Sequence, residues 1–174
     1  METFPTRILL ATDGSEDSTV AARAAAGISR TTGSELHVVH AWRSLPHYAY
    51  PSLVFEGYHP PYEEGARRIL ERQVEQVTEA GGTVAGAHLR AGAPTDEILD
   101  LVEELEPGSL VAGSRGLGPI KHLILGSVSE ALVHQAACPV WVVRGGEGAW
   151  PPQRIVVGED GSEAARGRGN SRSP

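Results

Sequence analysis

The residues of this sequence that could do chemistry are glycines and serines grouped between positions 113 and 129. Gly113-Ser114-Arg115-Gly116 is followed, after nine residues, by Gly126-Ser127-Val128-Ser129. Glycine lets a backbone approach an anion closely, and it adopts positive φ where a loop must fold around the anion. Ser127 has the position of a helix N-cap, and Ser127 to Glu130 has capping-box spacing. Because free N–H groups at a helix start bind phosphate, the segment predicts a phosphate site to which the Ser127 and Ser129 hydroxyls can add hydrogen bonds.

A second candidate is Asp13, in Thr12-Asp13-Gly14-Ser15 directly after the first apolar run. Its carboxylate could accept a ribose hydroxyl or a metal-bound water. It could also cap the first helix, because Asp13 to Glu16 has capping-box spacing too, and the two roles can coexist. Arg115 is either a phosphate or ribose contact or a solvated loop charge.

The histidines carry a weaker signal than these two candidates. His40 lies near the end of an apolar run and is interpreted as a core histidine. His47, His59 and His122 lack the spacing of metal ligands, so no metal site is expected from them.

Short apolar runs alternate with helical patterns along the chain. The expected strands are 8–11, 36–41, 83–89, 110–112 and 139–143, and helical spacing follows each of the first four. This alternation predicts an α/β fold with a parallel sheet and helices on both faces. Ligands of such sheets bind beyond the carboxyl ends of the strands, where the strand order reverses. The loops holding Asp13 and Gly113 are therefore expected to meet there. Residues 43–62, rich in proline and aromatic residues, are expected to form a long loop.

Composition narrows the class of protein. The 174 residues carry a formal net charge of −7, which argues against broad binding to nucleic acid or to anionic membranes. No segment approaches the ~20 apolar residues of a membrane span. The single cysteine, Cys138, excludes an intrachain disulfide and favours a reducing, cytoplasmic setting. No activating base lies beside Cys138 in the sequence, so a reactive thiol is not favoured.

The end of the sequence repeats its beginning. Residues 154–163 match residues 7–16 at six of ten positions, but the following residues are polar and have no helical face. We interpret residues 1–145 as one domain, 146–153 as a linker and 154–174 as the truncated, partly disordered start of a second repeat.

Taken together, the Thr-Asp-Gly-Ser turn, the Gly-x2-Gly-x9-Gly-Ser motif and Cys138-Pro139-Val140 resemble the ATP-binding branch of the universal stress protein family, from about residue 7 to 143. The resemblance implies a Rossmann-like open sheet of five parallel strands, usually in a dimer, that binds ATP. One departure is Pro107-Gly108-Ser109, in place of an acidic-apolar lead-in, which is expected to shorten the fourth strand. The site residues that the resemblance implies are Ala11, Thr12 and Asp13 at the first strand, Ala41 facing adenine, and Ala112, Gly113, Arg115, Gly116, Gly126, Ser127, Val128 and Ser129 around the ribose and phosphates.

Three functions follow as hypotheses. The preferred one is a regulatory stress-response protein that binds ATP, with Mg²⁺ held by Asp13 through water, and hydrolyses it slowly or not at all. The alternatives are a weak ATPase and a dimeric interaction module that binds no nucleotide. The sequence has no Gly-Lys-Ser/Thr phosphate loop. NAD chemistry is excluded because the glycines follow the fourth strand and not the first. AMP, cyclic AMP and GTP remain open as ligands.

The fifth expected strand bears on assembly. In a sheet of order 3-2-1-4-5 it is an edge, and a long apolar edge strand is normally covered. We therefore expect either a homodimer across this strand or pairing with the tail segment 155–157.

Overall fold

The structure is a computed structural model that describes residues 6–43, 61–116, 125–145, 152 and 154–156. Most of the expected loop 43–62, most of the nine residues between the two glycine segments, most of the linker, and the tail after residue 156 lie outside these ranges. The elements, in chain order, are β1 (Arg7–Thr12), α1 (Glu16–Thr32), β2 (Glu35–Trp42), α2 (Pro61–Glu79), β3 (Val84–Ala91), α3 (Pro94–Leu105), β4 (Ser109–Gly113), α4 (Ser127–Gln135) and β5 (Val140–Val143).

The five strands form one parallel sheet in the order β3-β2-β1-β4-β5. This confirms the α/β fold and the strand order expected from the sequence. The chain passes from β1 to β2 on one side and later crosses back to place β4 on the other side of β1. The strand order therefore reverses at β1, which fixes where a ligand of this fold class would bind.

Each face of the sheet is covered by two helices. One core holds Ile8, Leu10 and Val38, packed against alanines of α1 and against Leu70 and Val77 of α2. The core on the opposite face is built by the strand residues that alternate with these, together with residues of α3 and α4. It includes Leu9, Val39, Ile98, Leu110 and Leu132. Strand residues alternate between the two faces, so both faces of the central strands are apolar. This accounts for the continuous apolar runs in the sequence.

The helix ends follow local chemistry, with one difference from expectation. Gly33 ends α1 in the left-handed conformation, at φ 72°, and its N–H donates to the Ser29 carbonyl oxygen. Helix α2 begins at Pro61, so the predicted loop boundary at residue 62 was wrong. Proline favours the first helical position because its missing N–H would have no partner there. Within the described ranges, no helix is both long and apolar enough to cross a membrane.

Candidate functional site

A cleft opens at the carboxyl end of the sheet, beside the point where the strand order reverses. Its volume is about 510 Å³, within the range of roughly 300 to 1,000 Å³ that is usual for small-molecule sites. The cleft brings together every site residue predicted from the sequence. These are Ala11, Thr12, Asp13, Ala41, Ala112, Gly113, Arg115, Gly116, Gly126, Ser127, Val128 and Ser129.

The floor of the cleft exists because the sheet changes from large to small side chains along one face. Leu9, Val39 and Leu110 fill the core beneath α3 and α4, whereas the next residues on the same face are alanines. Ala11 and Ala112 are direct partners in the β1–β4 register, and Ala41 lies on the neighbouring strand β2, two residues beyond Val39, the partner of Ala11. Alanine side chains leave open the volume that a leucine or valine would occupy.

The loops after β1 and β4 meet, as predicted. The Ser15 hydroxyl donates to the Arg115 carbonyl oxygen at 3.1 Å, and a Cβ on Gly116 would overlap Asp13 Oδ2. Asp13 is not the cap of α1, because the N-cap is Ser15, whose Oγ accepts from Ser18 N at 3.3 Å. Asp13 Oδ1 instead accepts from Ser15 N at 3.0 Å, which leaves the carboxylate at the edge of the cleft.

The start of α4 differs from the sequence prediction by one residue. The N-cap is Gly126, without a side-chain cap bond, and Ser127 is the first helical residue. The Gly126 N–H donates to the Ser114 carbonyl oxygen at 2.7 Å, and the first helical bond runs from Glu130 N to the Gly126 carbonyl oxygen at 2.8 Å. The predicted capping box at Ser127 was therefore wrong. The N–H groups of the first helical turn, which have no intrahelical partner, belong to residues that line the cleft.

Two of the three glycines of the motif, Gly113 and Gly116, are needed for close approach, and none of the three for positive φ. The described glycines with positive φ are Gly14, Gly33 and Gly81. A Cβ on Gly113 would lie 2.9 Å from backbone atoms of Asp17 and Ser18, so α1 packs directly on β4 there. A Cβ on Gly126, by contrast, would have no heavy atom of the neighbouring loop closer than 3.5 Å, so the packing of the described residues does not require glycine at position 126.

Asp17 was missed by the sequence analysis. The whole residue is 5% exposed, and its carboxylate accepts hydrogen bonds from Ser114 Oγ at 2.7 Å, Arg115 Nε at 3.3 Å and Gly145 N at 3.0 Å. Burial by itself raises the pKa of this carboxyl group, but the hydrogen bonds and the Arg115 charge outweigh it and lower the pKa below its ordinary value. Asp17 is therefore ionised at neutral pH and joins α1 to the loops after β4 and β5.

Comparison with known proteins agrees with this geometry. The model of the universal stress protein family matches residues 5–144, which is most of the described fold and the whole cleft. The chain belongs to the universal stress protein family. It is 36% identical over 141 residues to a universal stress protein of Thermus aquaticus, covering 79% of this chain and 97% of the relative. The universal stress protein YxiE of Bacillus subtilis is 31% identical over 146 residues, covering 79% and 98%.

A solved structure of a universal stress protein in complex with cAMP has the same fold. It superposes with a TM-score of 0.58 at 26% sequence identity, covering 80% of this chain and 96% of that one. The family assignment therefore rests on both the sequence and the fold.

The walls of the cleft include residues that the sequence analysis assigned to the core or did not consider. Ile69 of α2, Ile98 of α3 and Pro94 at the start of α3 are among them. Helical periodicity identifies an apolar face but cannot show that the residues at one end of that face line a ligand site. Trp42, Ser18, His40 and Leu132 complete this set.

His40 and Cys138, the weaker candidates that the structure describes, behave as structural residues. His40 is 5% exposed, and its Nδ1 lies 2.8 Å from the Thr12 carbonyl oxygen, in agreement with a core histidine. Burial raises the pKa of the Cys138 thiol, which disfavours the reactive thiolate. No group of three or more histidine, cysteine or acidic side chains suited to a metal ion occurs among the described residues. His47, His59 and His122 lie outside the described residues.

Proposed function

We propose that this universal stress protein is a regulatory protein of the cytoplasm that binds ATP in the cleft and hydrolyses it slowly or not at all. The observation that carries the proposal is the position of Gly126. This residue lies between the loop after β4 and the start of α4, it lines the cleft, and the packing of the described residues leaves room for a Cβ there. A phosphate group approaching the backbone would explain a glycine that the fold does not need.

The phosphate end of the cleft is defined by backbone N–H groups. The first turn of α4 presents the N–H groups of Ser127, Val128 and Ser129, together with the positive end of the helix dipole. Arg115 faces the same space, and 37% of its side chain is exposed. These groups recognise negative charge without reading a base, which is why they support nucleotide binding in general.

The other end of the cleft suits a base and a ribose. Ala41 on the floor, Ile69 on one wall and Ile98 on the other make an apolar slot, and Asp13 lines the same cleft next to Gly116. A carboxylate is a suitable acceptor for ribose hydroxyls. We place the base against Ala41 and the ribose near Asp13. ATP is the proposed nucleotide, and AMP, cyclic AMP and GTP are the alternatives; cyclic AMP is the ligand of the related structure described above.

Magnesium fits the proposal as an ion carried by the nucleotide. Mg²⁺ is usually held by one or two carboxylates, several waters and substrate phosphates. Asp13 is the one acidic residue among the described residues that line the cleft, and its carboxylate would contact the ion through water. Its Oδ1 is already bound to Ser15 N, which fixes the direction of the carboxylate. The described cleft residues supply no second carboxylate to act as a general base, in keeping with slow or absent hydrolysis.

We also propose a homodimer across β5. Among the described residues β5 pairs with β4 alone, at the edge of the sheet. The described tail residues 154–156 form no strand, and Ile155 and Val156 are 78% and 95% exposed, so the described part of the tail does not cover this edge. A second copy would cover it.

The deciding experiment combines identification of bound nucleotide with titration. Nucleotide released from freshly purified protein is identified by mass spectrometry, and Mg-ATP is then titrated by calorimetry into wild type, Gly126→Val and Gly65→Val. Gly65 is exposed on α2, and a Cβ there would meet no atom within 4 Å. We expect Gly126→Val to bind ATP at least about tenfold more weakly and Gly65→Val to bind it as wild type does.

Two results would count against the proposal. Folded wild-type protein that binds no nucleotide would favour the interaction module, in which the dimer alone carries function. Binding with steady turnover that depends on Asp13 would favour the weak ATPase. The thermal unfolding transition of every variant is also recorded. It shows whether an equal loss of ATP affinity in Gly126→Val and Gly65→Val comes from unfolding and not from a change at the site.

A further inference from the structure

The buried carboxylate of Asp17 lies directly beneath the proposed phosphate site. It is held by Ser114 Oγ at 2.7 Å and by Arg115 Nε at 3.3 Å, two consecutive residues of the loop that carries the glycine motif. A third bond, from Gly145 N at 3.0 Å, ties the same carboxylate to the segment after β5. The packing is tight on this side, because a Cβ on Gly113 or Gly145 would collide with Asp17.

The bond to Arg115 orients its guanidinium group. The bond is donated by Nε, at 3.3 Å from Asp17 Oδ2. The Asp17 side chain is 6% exposed whereas that of Arg115 is 37% exposed, so the arginine reaches from a buried anchor into the open cleft that it lines. Charge-assisted hydrogen bonds of this kind are stronger and better directed than neutral ones. An arginine fixed at Nε loses less side-chain entropy when its terminal N–H groups bind an anion.

We propose that Asp17 is a positioning residue for the nucleotide phosphates, holding Arg115 and the 113–116 loop in the arrangement that a polyphosphate requires. This inference rests on the proposed nucleotide binding. Asp17 does not itself contact the ligand, since its carboxylate is buried and accepts three hydrogen bonds from the protein. It acts through Arg115 and through the backbone of residues 113 to 116.

Coulombic repulsion and positioning predict opposite effects of Asp17→Asn on ATP affinity. A carboxylate near a phosphate site repels the ligand, so on Coulombic grounds Asp17→Asn should bind ATP more tightly. Positioning predicts weaker binding, because an asparagine retains the size of the side chain but loses the charged partner that directs Arg115. The sign of the change therefore distinguishes the two effects.

The experiment titrates Mg-ATP and adenosine into wild type, Asp17→Asn, Arg115→Ala and the double variant by calorimetry. We expect Asp17→Asn to weaken ATP about tenfold and to leave adenosine within about twofold, because only the phosphates depend on Arg115. The double variant is expected to lose less ATP affinity than the sum of the two single losses, since Asp17 acts in part through that arginine. Asp100→Asn, the same change at an exposed residue of α3 outside the cleft, is the matched control and should match wild type.

A purely structural role would weaken ATP and adenosine equally, with additive losses in the double variant, and this would overturn the inference. Unchanged or tighter ATP binding by Asp17→Asn would overturn it as well. If Asp17→Asn is unstable, Ser114→Ala replaces it in the test, because it keeps the Asp17 charge and removes one of the three hydrogen bonds to that carboxylate. We expect it to weaken ATP binding less than Asp17→Asn would and to leave adenosine binding unchanged. Wild-type protein that binds no nucleotide would instead overturn the proposed function itself, and the inference with it.

Discussion

The hydroxyl of Ser129 donates a 2.7 Å hydrogen bond to the carbonyl oxygen of Gly113. Ser129 is only 7% exposed, so this bond fastens the first turn of α4 to the end of β4 from within the protein. A hydroxyl group has one proton, and here it is used. Ser129 can therefore offer a phosphate its backbone N–H but not its hydroxyl proton, whereas the exposed Ser127 keeps its side chain at the mouth of the cleft.

This difference separates stability from binding in two serine variants. Ser129→Ala leaves the buried Gly113 carbonyl without its donor, and we expect a loss of about 1–2 kcal/mol in the free energy of unfolding, with ATP affinity within about threefold of wild type. Ser127→Ala should leave stability within about 0.5 kcal/mol and weaken ATP several-fold. Urea denaturation and calorimetric titration check both. The reverse pattern would show that the ligand uses the hydroxyl of Ser129.

A substitution at Gly116 tests the contact between the loop after β1 and the loop after β4. A Cβ at this position would overlap Asp13 Oδ2, so Gly116→Ala must turn the Asp13 carboxylate or shift the loop. We expect the variant to fold, because the colliding atom is the end of a side chain, and to lose at least about tenfold in ATP affinity. Gly33→Ala serves as the comparison. It has positive φ but no neighbour within 4 Å, so it should lose about 1 kcal/mol of stability and no affinity.

Substitution of Asp13 distinguishes a contact with the ribose from a contact with the metal ion. Asp13→Asn retains an oxygen that can accept from Ser15 N and from a ribose hydroxyl, but it loses the charge that holds metal-bound water. We expect ATP affinity of the wild type to rise when Mg²⁺ is added, and that of Asp13→Asn to respond much less. Titrations with and without Mg²⁺, with adenosine as the metal-independent ligand, measure this. An undiminished Mg²⁺ effect in the variant would exclude Asp13 as the metal contact.

A pair of histidines on β2 and β3 makes stability depend on pH. His37 Nδ1 lies 3.0 Å from His88 Nε2, and the rings stack with centroids 5.3 Å apart. Burial is the main cause that lowers the pKa of both, and each is lowered further by a nearby arginine, Arg7 for His37 and Arg90 for His88. His37 also lowers the pKa of His88. Glu35 and Glu104 oppose these effects in part.

Proton linkage gives the direction in which the free energy of unfolding changes with pH. The unfolded histidines titrate near pH 6.5 and the folded ones below it, so between these values the unfolded state binds more protons. The free energy of unfolding is therefore expected to fall as the pH drops below about 6.5. His88→Gln removes one group of the pair and should reduce this slope, measured by urea denaturation between about pH 7.5 and pH 5. An identical slope in the variant would contradict the assignment to this pair.

The proposed dimer is tested at Trp141 on the edge strand. The residue is 38% exposed, and a charge there would be costly inside an apolar interface. We expect light scattering to give the mass of two chains for wild type and of one chain for Trp141→Arg. Tyr62→Arg, at a 65% exposed residue of α2, should remain dimeric. A monomeric wild type at micromolar concentration would remove the dimer from the proposal.

Much of the site was predictable because its parts are local in sequence. The four residues 12–15 at the end of β1, and the two glycine segments that begin at the end of β4, have recognisable turn and helix-start chemistry. The rule for parallel sheets brings the ends of those strands together. The error at the start of α4 came from a long-range contact. Ser127 has the local pattern of an N-cap. The Ser114 carbonyl oxygen, however, accepts a hydrogen bond from the Gly126 N–H, so that Gly126 is the N-cap and the helix begins one residue earlier than predicted.

The sequence by itself determined the alternation of strands and helices, since periodicity reports which side of each element is apolar, and it placed the glycine motif at the carboxyl end of the sheet. Only the tertiary structure decided the role of Asp17. Its partners are 97, 98 and 128 residues away in the chain, and in sequence it is an ordinary acidic residue in the first turn of a helix. A hydrogen bond between distant segments depends on distance and direction in three dimensions, and periodicity along the chain carries neither.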